Sequence, residues 1–222
     1  KNLNYLRKKV IELIVKKKPS LKSKLKIEKE EIFLNNFHKY IKKSELNSIR
    51  LFVIDIINRN KSFAENYYSA GKKSLDFLVG NELAMQTRVN LSIQYPQDAS
   101  SLLPIHADVW SGDSPFEVVL WIPLVSCHGT KSMFLLPPLE TQVLHERFSE
   151  FEQKTDEDIF RAVEDRVRWI NIEYGEVLLF NQNLPHGNRI NQEHETRWSL
   201  NCRFKSVFSP YGDKKLGEFF EP

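Results

Sequence analysis

Apolar residues near the start of the chain recur at the spacing of an α-helix. Leu3, Leu6, Val10 and Ile14 lie three or four residues apart, as one apolar face of a helix requires. Pro19 follows this pattern and ends it, because proline has no backbone N–H and clashes with the preceding turn. The chain is therefore predicted to begin with an amphipathic helix.

Three further helices are predicted before residue 80. The stretch 22–41 alternates lysine and glutamate around spaced apolar residues. Ser44 is predicted to cap the next helix, whose apolar positions keep the helical spacing as far as Ile56. The stretch 62–79 is the fourth, although Gly71 weakens it.

At Ala84 the period of the pattern changes to two. Apolar and polar residues alternate from Met85 to Tyr95, which predicts a strand with one apolar and one polar face. The segment 116–125 is apolar on both faces and is predicted to lie centrally in a sheet. The other predicted strands span 105–110, 131–136, 170–174, 177–181 and 196–208.

Two short helices are predicted among the strands. One covers 140–154, and the other runs from a capping box of Thr155 and Asp158 to Arg168. Helices followed by many strands indicate an α+β fold, in which a β-sandwich or barrel core carries helices on its outside. We accordingly divide the chain into an N-terminal helical region, 1–83, and a core, 84–222, within a single domain overall.

Composition excludes several classes of protein. The 222 residues are 41% hydrophobic and 27% charged, as in ordinary globular proteins. Two cysteines are too few for a disulfide scaffold, and no apolar run approaches the roughly 18 residues of a membrane span. The first residues, KNLNYLRKKV, are charged with no apolar segment behind them, so no secretory signal is predicted and a cytoplasmic location is expected.

Charge is distributed unevenly along the chain. Residues 1–50 carry 15 Lys and Arg against 5 Asp and Glu, whereas the remaining residues carry 17 against 24. A basic arm suggests nucleic acid, but its lysine cluster at 22–29 lacks the interleaved aromatic residues that stack on bases. We expect no nucleic-acid partner. The arm is interpreted as a solvated helical surface that covers the core or attracts a phosphorylated or lipid-linked substrate.

One short motif carries candidate chemistry. His106 and Asp108 are two residues apart in a predicted strand, so both should point to the same side. His186, in a turn shaped by proline and glycine, is the best candidate for a third ligand. Either histidine alone could be structural, but the three together form a facial triad. Such a triad leaves coordination positions open for a cosubstrate and dioxygen on non-haem Fe(II).

A second motif lies eleven residues after His186. Arg197 and Ser199 fall on one face of the last predicted strand. Arginine is rarely buried without an anionic partner, and its planar fork can bind a carboxylate through two parallel hydrogen bonds. A 2-oxo dicarboxylic acid would be a suitable partner.

These motifs together resemble the Fe(II)/2-oxoglutarate-dependent oxygenases. The resemblance covers about residues 85–208 and follows the phytanoyl-CoA-dioxygenase-like layout. The stretches LAMQTRVNLSIQYP and TKSMFLLPP are similar to the small bacterial oxygenases of surface-carbohydrate gene clusters. The resemblance implies a double-stranded β-helix (jelly-roll, cupin-like) core, the cofactors Fe(II), 2-oxoglutarate and O2, and hydroxylation or another oxidation of a sugar or carrier-linked sugar.

The resemblance also implies a role for each motif residue. The Fe(II) ligands are His106, Asp108 and His186. Arg197 and Ser199 bind the distal carboxylate of 2-oxoglutarate, and a polar residue of a neighbouring strand assists them. The candidates for that residue are Asn90, Ser132 and Asn188. Asp108 occupies a position where related halogenases have a small residue, which favours hydroxylation or another oxidation over halogenation.

Other residues are assigned on weaker grounds. Trp110, two positions after Asp108, and Gln94, on the polar face of its strand, are the candidate substrate contacts. Trp121 and Trp198 have apolar neighbours and are expected in the core. Lys131 is expected to be exposed.

Two alternative functions remain open from the sequence. A Zn²⁺-dependent cupin-like hydrolase or isomerase could use the same triad, but it would have no need for the clamp at Arg197. A non-catalytic jelly-roll module could bind glycans or a polyanion through the basic arm. The sequence contains no pattern that defines the oligomeric state.

Overall fold

The structure is a computed structural model that describes residues 1–222. It contains eight α-helices, nine β-strands and four short 3₁₀ turns. The helices are α1 (Asn2–Lys17), α2 (Lys22–Ile27), α3 (Glu30–Asn35), α4 (Phe37–Tyr40), α5 (Lys43–Asn58), α6 (Lys61–Leu78), α7 (Pro138–Glu146) and α8 (Asp156–Val163). The strands are β1 (Leu83–Gln86), β2 (Asn90–Gln94), β3 (Val118–Pro123), β4 (Phe134–Leu135), β5 (Arg168–Trp169), β6 (Leu178–Asn181), β7 (His186–Gly187), β8 (Arg197–Ser206) and β9 (Phe220–Glu221). The α+β prediction is confirmed.

The helical predictions differ from the structure mainly between residues 22 and 41. That stretch is three short helices rather than one, because the backbone is extended at Glu28 and leaves the helical conformation again at Asn36. The breaks place Phe37 edge-on against Trp198, with ring centroids 4.9 Å apart. Ser44 is not a cap, since α5 begins one residue before it and makes no side-chain cap bond.

The long strand β8 organises the larger sheet. β3 pairs along one of its edges, while β2 and β1 share the other, and all these pairings are antiparallel. β6 extends the sheet beyond β3, and β9 extends it beyond β1. Because β8 has neighbours along both edges, its side chains on each face are held in a fixed register.

The predicted strand at 85–95 is interrupted between β1 and β2. The side chain of Asn58, at the end of α5, accepts a hydrogen bond from the amide of Val89 at 2.7 Å and donates to its carbonyl at 3.0 Å. A helix side chain thus satisfies the backbone groups of Val89 that a neighbouring strand would otherwise have to satisfy.

A smaller sheet, β5–β4–β7, lies apart from the larger one. His106 joins its β7 strand through an isolated bridge to His186. The strands predicted in this region were too long. The predicted strand 105–110 is that bridge followed by a 3₁₀ turn, and only β4 remains of the predicted strand 131–136. The segment 170–174 makes only isolated bridges. The capping box of Thr155 and Asp158 is confirmed, although α8 ends at Val163.

Helices and strands bury one main core. A cluster of 36 buried hydrophobic residues draws on α1, α5 and α6 as well as on β2, β3 and β8. The hydroxyl of Tyr67 on α6 donates to the carbonyl of Leu120 on β3. No helix combines the length and the apolar composition that a bilayer crossing requires. The boundary at residues 83 and 84 separates helices from strands along the chain, and its status as a domain division stays a prediction.

We expect Gly71→Val to destabilise the protein by about 1–3 kcal/mol, as overpacking of a core does. A Cβ atom at Gly71 would lie 2.8 and 2.9 Å from the two terminal methyl carbons of Leu120, which is fully buried. Urea unfolding measures the change. Ser74→Val, at an exposed position of the same helix, controls for the helix propensity of valine. An equal cost for the two variants would contradict this packing argument.

Candidate metal centre and its cavity

A cavity of about 810 Å³ is lined by residues of both sheets. Alternate side chains of β8 line it, as the two-residue period of the sequence predicted: Arg197, Ser199, Asn201 and Arg203. The intervening residues belong to the main core: Trp198, Leu200, Cys202 and Phe204. The strand therefore separates the apolar core from a polar cavity.

His106, Asp108 and His186 converge at this cavity. One ligand atom from each lies within 4.8 Å of the others. Nε2 of His106 is 3.7 Å from Oδ1 of Asp108, and the two imidazole rings have centroids 4.3 Å apart. The backbones of His106 and His186 exchange two hydrogen bonds, of 3.0 and 2.8 Å, which fix the rings side by side. These separations suit three ligands of one metal ion.

The outer nitrogen of each imidazole is held by a backbone carbonyl. Nδ1 of His106 donates to the carbonyl of Pro104 at 2.8 Å, and Nδ1 of His186 donates to that of Leu184 at 2.9 Å. A carbonyl only accepts, so the proton is on Nδ1 and each Nε2 has a free lone pair for a metal. Burial, together with the neighbouring His106, lowers the pKa of His186 to about 4. His186 is therefore neutral at pH 7.

Asp108 reaches the site by a different route from the one predicted. It begins a 3₁₀ turn, Asp108–Ser111, after an extended Ala107, rather than continuing a strand. Nη2 of Arg203 lies 2.8 Å from its Oδ1, and Nη1 of the same guanidinium lies 2.9 Å from Asp113. Arg203 thus orients the carboxylate. The sequence pattern did contain this residue, on the same face of the predicted strand as Arg197, but the prediction left it out.

Arg197 is a buried cation without a carboxylate partner. It is 4% exposed. Its two Nη atoms donate to the carbonyl of Ser132 at 3.0 Å and to the hydroxyl of Ser92 at 3.1 Å. Burial lowers its pKa to about 10, so it stays charged at pH 7. Ser92 is a further residue that the prediction missed, although it lies on the polar face of β2 next to Asn90.

Unpartnered polar atoms surround this guanidinium. Nε of Arg197 and the hydroxyls of Ser132 and Ser199 are buried and make no hydrogen bond within the protein. Oε1 of Gln94, which is paired in register with Arg197, is also without a partner. Native proteins rarely leave buried polar groups unsatisfied. The donors of this group, Nε of Arg197 and the two serine hydroxyls, can bind a small anion that has several acceptor oxygens, whereas Oε1 of Gln94 only accepts.

The other candidate polar residues occupy different places. Asn90 lines the cavity and donates to Asn201 at 3.1 Å. Asn188 also lines it, but both ends of its amide hold the backbone of the 101–103 segment. Gln94 is fully buried behind the lining, where it donates to the carbonyl of Arg189 at 2.7 Å.

The structure places Trp110 and Lys131 elsewhere than the sequence predicted. Trp110 is not among the cavity-lining residues; its ring packs on Phe148 at 5.0 Å and its Nε1 donates to His145. The 3₁₀ turn after Asp108 ends the two-residue alternation, so Trp110 does not share the direction of Asp108. Lys131 is fully buried rather than exposed, because Asn35 and Glu195 bind its ammonium group at 3.0 and 2.5 Å.

The tryptophans predicted in the core are both buried. Trp198 is fully buried, and its Nε1 donates to the carbonyl of Leu34 at 3.0 Å. Trp121 is also buried but lines the cavity from β3. It therefore gives the cavity an aromatic surface that the sequence argument assigned to the core alone.

Comparison with known proteins supports the fold. No protein-family model and no curated protein sequence matches the chain. Among solved structures it is similar to iron-bound HygX from Streptomyces hygroscopicus, at 13% identity and a TM-score of 0.53 over 79% of this chain and 82% of that one. HygX with nickel and 2-oxoglutarate gives 14% identity and a TM-score of 0.51 over 71% and 69%.

A similarity to the non-haem monooxygenase ThoJ, as its nickel complex, is weaker, with a TM-score of 0.44 at 17% identity over 72% of this chain. The chain spans only 56% of the length of ThoJ. At these identities the two HygX comparisons establish a shared fold. The chain thus shares its fold with a protein that was solved with 2-oxoglutarate bound, in keeping with the resemblance drawn from the motifs.

Proposed function

We propose that the chain is an Fe(II)- and 2-oxoglutarate-dependent oxygenase. The observation that carries the proposal is the buried, unpaired Arg197 beside the unpartnered hydroxyl of Ser199, on the cavity that also holds the triad. A metal site alone would not need them. A dicarboxylate with one end on the metal and the other on Arg197 accounts for both features.

The residues fit the proposed metal. His106, Asp108 and His186 would hold Fe(II) through two nitrogens and one carboxylate oxygen, a donor set used by non-haem iron oxygenases. When bound, Fe(II) supplies the activation of dioxygen, coupled to conversion of 2-oxoglutarate into succinate and carbon dioxide and to oxidation of the substrate.

The protein's own groups position the reactants. The guanidinium of Arg197 would bind the distal carboxylate of 2-oxoglutarate, and the hydroxyl of Ser199 would donate to it. The hydroxyl of Ser132 is also buried and unpartnered. Among the three candidates, Ser132 is therefore the most suitable residue to assist Arg197 and Ser199 in binding that carboxylate. Arg203 keeps the Asp108 carboxylate directed at the metal. The apolar side chains of Val119, Trp121 and Phe180 line the cavity and limit the access of water.

The finer assignments are part of the same proposal. The two sheets around the cavity form a jelly-roll core of the double-stranded β-helix type, and the helices and core act as one catalytic domain. The substrate is a sugar or a carrier-linked sugar. The polar lining residues Asn90, Ser100, Ser101 and Asn201 support this class, because their amides and hydroxyls can hydrogen-bond several substrate hydroxyls.

Anaerobic addition of Fe(II) and 2-oxoglutarate is expected to produce a visible charge-transfer absorption band. The band requires one 2-oxo acid bound to iron through its carboxylate and oxo groups, so Fe(II) with succinate should give none. Optical titration measures it. A protein that binds Zn²⁺ tightly but gives no band with Fe(II) and 2-oxoglutarate would contradict the proposal and favour a zinc hydrolase or isomerase.

A further inference from the structure

One helix of the N-terminal region forms part of the cavity wall. Five residues of α5 line the cavity: Lys43, Leu46, Asn47, Arg50 and Ile54. Each lies three or four positions from another member of the set. This spacing places them along one face of the helix. The residues that bind the proposed cofactors are all on the strand side, so the helix wall faces the space that remains for substrate.

The cavity carries more positive charge than the proposed cofactors use. Its lining contains four basic side chains, Lys43, Arg50, Arg197 and Arg203, against the single carboxylate of Asp108. Arg197 is assigned to the distal carboxylate of 2-oxoglutarate, and Arg203 is paired with Asp108 and Asp113. With Asp113 as the partner of Arg203, Asp108 and the second carboxylate of 2-oxoglutarate remain to balance a divalent metal. Lys43 and Arg50, both on α5, are the two lining cations that the proposed cofactors do not use, and of these only Arg50 has no carboxylate partner.

These two cations differ in their surroundings. Lys43 lies at the exposed rim and pairs with the buried Asp98. Arg50 is half-buried and has no carboxylate partner. Its Nε and Nη2 donate to Oδ1 of Asn47 at 3.3 and 2.9 Å. That contact uses only the amide oxygen of Asn47, so the amide nitrogen, with its two N–H donors, remains available to a ligand.

We infer that Arg50, assisted by Asn47 and Lys43, binds a phosphate group of the substrate, which is therefore a phosphorylated small molecule; this inference rests on the proposed oxygenase function. A phosphate presents three or more acceptor oxygens and up to two negative charges. It can therefore accept from a guanidinium, an amide and an ammonium group together. A carboxylate carries one negative charge and two oxygens in one plane, so it matches three donors from separate side chains less well than a tetrahedral phosphate does.

The arrangement gives the helical region a direct role in substrate recognition. The phosphate would lie at α5, and the remainder of the substrate would extend along Trp121 and the polar strand residues towards the triad. Attraction at this wall is strengthened by the partly enclosed cavity, where solvent screens charges less than at an open surface.

Calorimetric titration of the full chain loaded with Ni²⁺ and 2-oxoglutarate tests the inference, because nickel keeps the site filled without turnover. The probes are glucose 1-phosphate, glucuronate and glucose. We expect glucose 1-phosphate to bind at least tenfold more tightly than either other sugar. Arg50→Gln should weaken glucose 1-phosphate tenfold or more, and raising the salt concentration should weaken it in the wild type.

Arg59→Gln is the matched control, since Arg59 is an exposed arginine on the turn that follows α5, lies outside the cavity lining and pairs with Asp55. It should bind the probe as the wild type does. Unchanged binding by Arg50→Gln, or no binding of glucose 1-phosphate by the wild type, would overturn the inference. Equal binding of glucuronate would overturn the choice of phosphate.

The affinity for 2-oxoglutarate distinguishes failure of this inference from failure of the proposed oxygenase function. Arg50→Gln should bind 2-oxoglutarate as the wild type does, because the clamp for it lies on β8. If the wild type fails to bind 2-oxoglutarate, the proposed function fails, whatever the sugar phosphate does. If 2-oxoglutarate binds and the sugar phosphate does not, only the present inference fails.

Discussion

His186→Ala is expected to lower the affinity for Fe(II) more than 100-fold. Loss of a residue that merely orients a ligand costs about 10–100-fold in metal affinity, and this variant removes a ligand itself. The two remaining proposed ligands, His106 and Asp108, come from one short segment and would bind only one side of the ion. Anaerobic dialysis against Fe(II), followed by metal analysis of the protein, measures the change.

The matched control is His194→Ala, at an exposed position in the turn before β8. It should bind one Fe(II) per chain, as the wild type does. Circular dichroism and urea unfolding show whether His186→Ala keeps its fold, and His186→Gln provides a second variant of more similar volume. A folded His186→Ala that takes up Fe(II) like the wild type would exclude His186 as a ligand.

Arg197→Met is expected to weaken 2-oxoglutarate binding at least 100-fold while leaving Fe(II) binding intact. Truncating one member of a buried, hydrogen-bonded charge pair typically costs about 2–5 kcal/mol, and no other cavity cation lies among the unpartnered groups of Ser132 and Ser199. The charge-transfer band, titrated with 2-oxoglutarate, gives the affinity. The exposed Arg161→Met on α8 serves as the control for loss of an arginine.

The same variant should not destabilise the protein in the absence of ligand. Arg197 is buried without a counter-ion, and replacing a buried charge by an apolar side chain of similar length is often neutral or stabilising. We therefore expect an unfolding free energy in urea equal to or above that of the wild type. A large loss of stability would indicate that Arg197 holds Ser92 and Ser132 together as a structural bond instead.

The sequence was sufficient to predict the elements that are determined by a regular apolar face or by a local hydrogen bond. The side chains of β8 alternate between core and cavity as predicted, and α1, α6 and the capping box of Thr155 are present. In each case, a repeated apolar position or a local hydrogen bond determines the element, and no distant residue competes with it.

Contacts from distant residues explain where the predictions went wrong. Asn58 interrupts the predicted strand by binding the backbone of Val89. Phe37 packs against Trp198, and the predicted helix over 22–41 is broken before it. Lys131 is buried because Glu195, 64 residues away along the chain, supplies its counter-charge. Sequence spacing contains no information about such partners, which exist only once the sheets are assembled.

By itself, the sequence determined which residues can carry the chemistry: two histidines, an aspartate and an arginine–serine pair, each on a recognisable stretch of chain. Only the tertiary structure decided what surrounds them. It brought α5 and its Arg50 to the cavity, set Arg203 against Asp108 and turned Trp110 away. The type of a side chain is given by the sequence, and its local direction follows from the secondary structure of its neighbours. Its charge partners, burial and share of a cavity follow from packing between distant segments, which is the origin of the substrate inference.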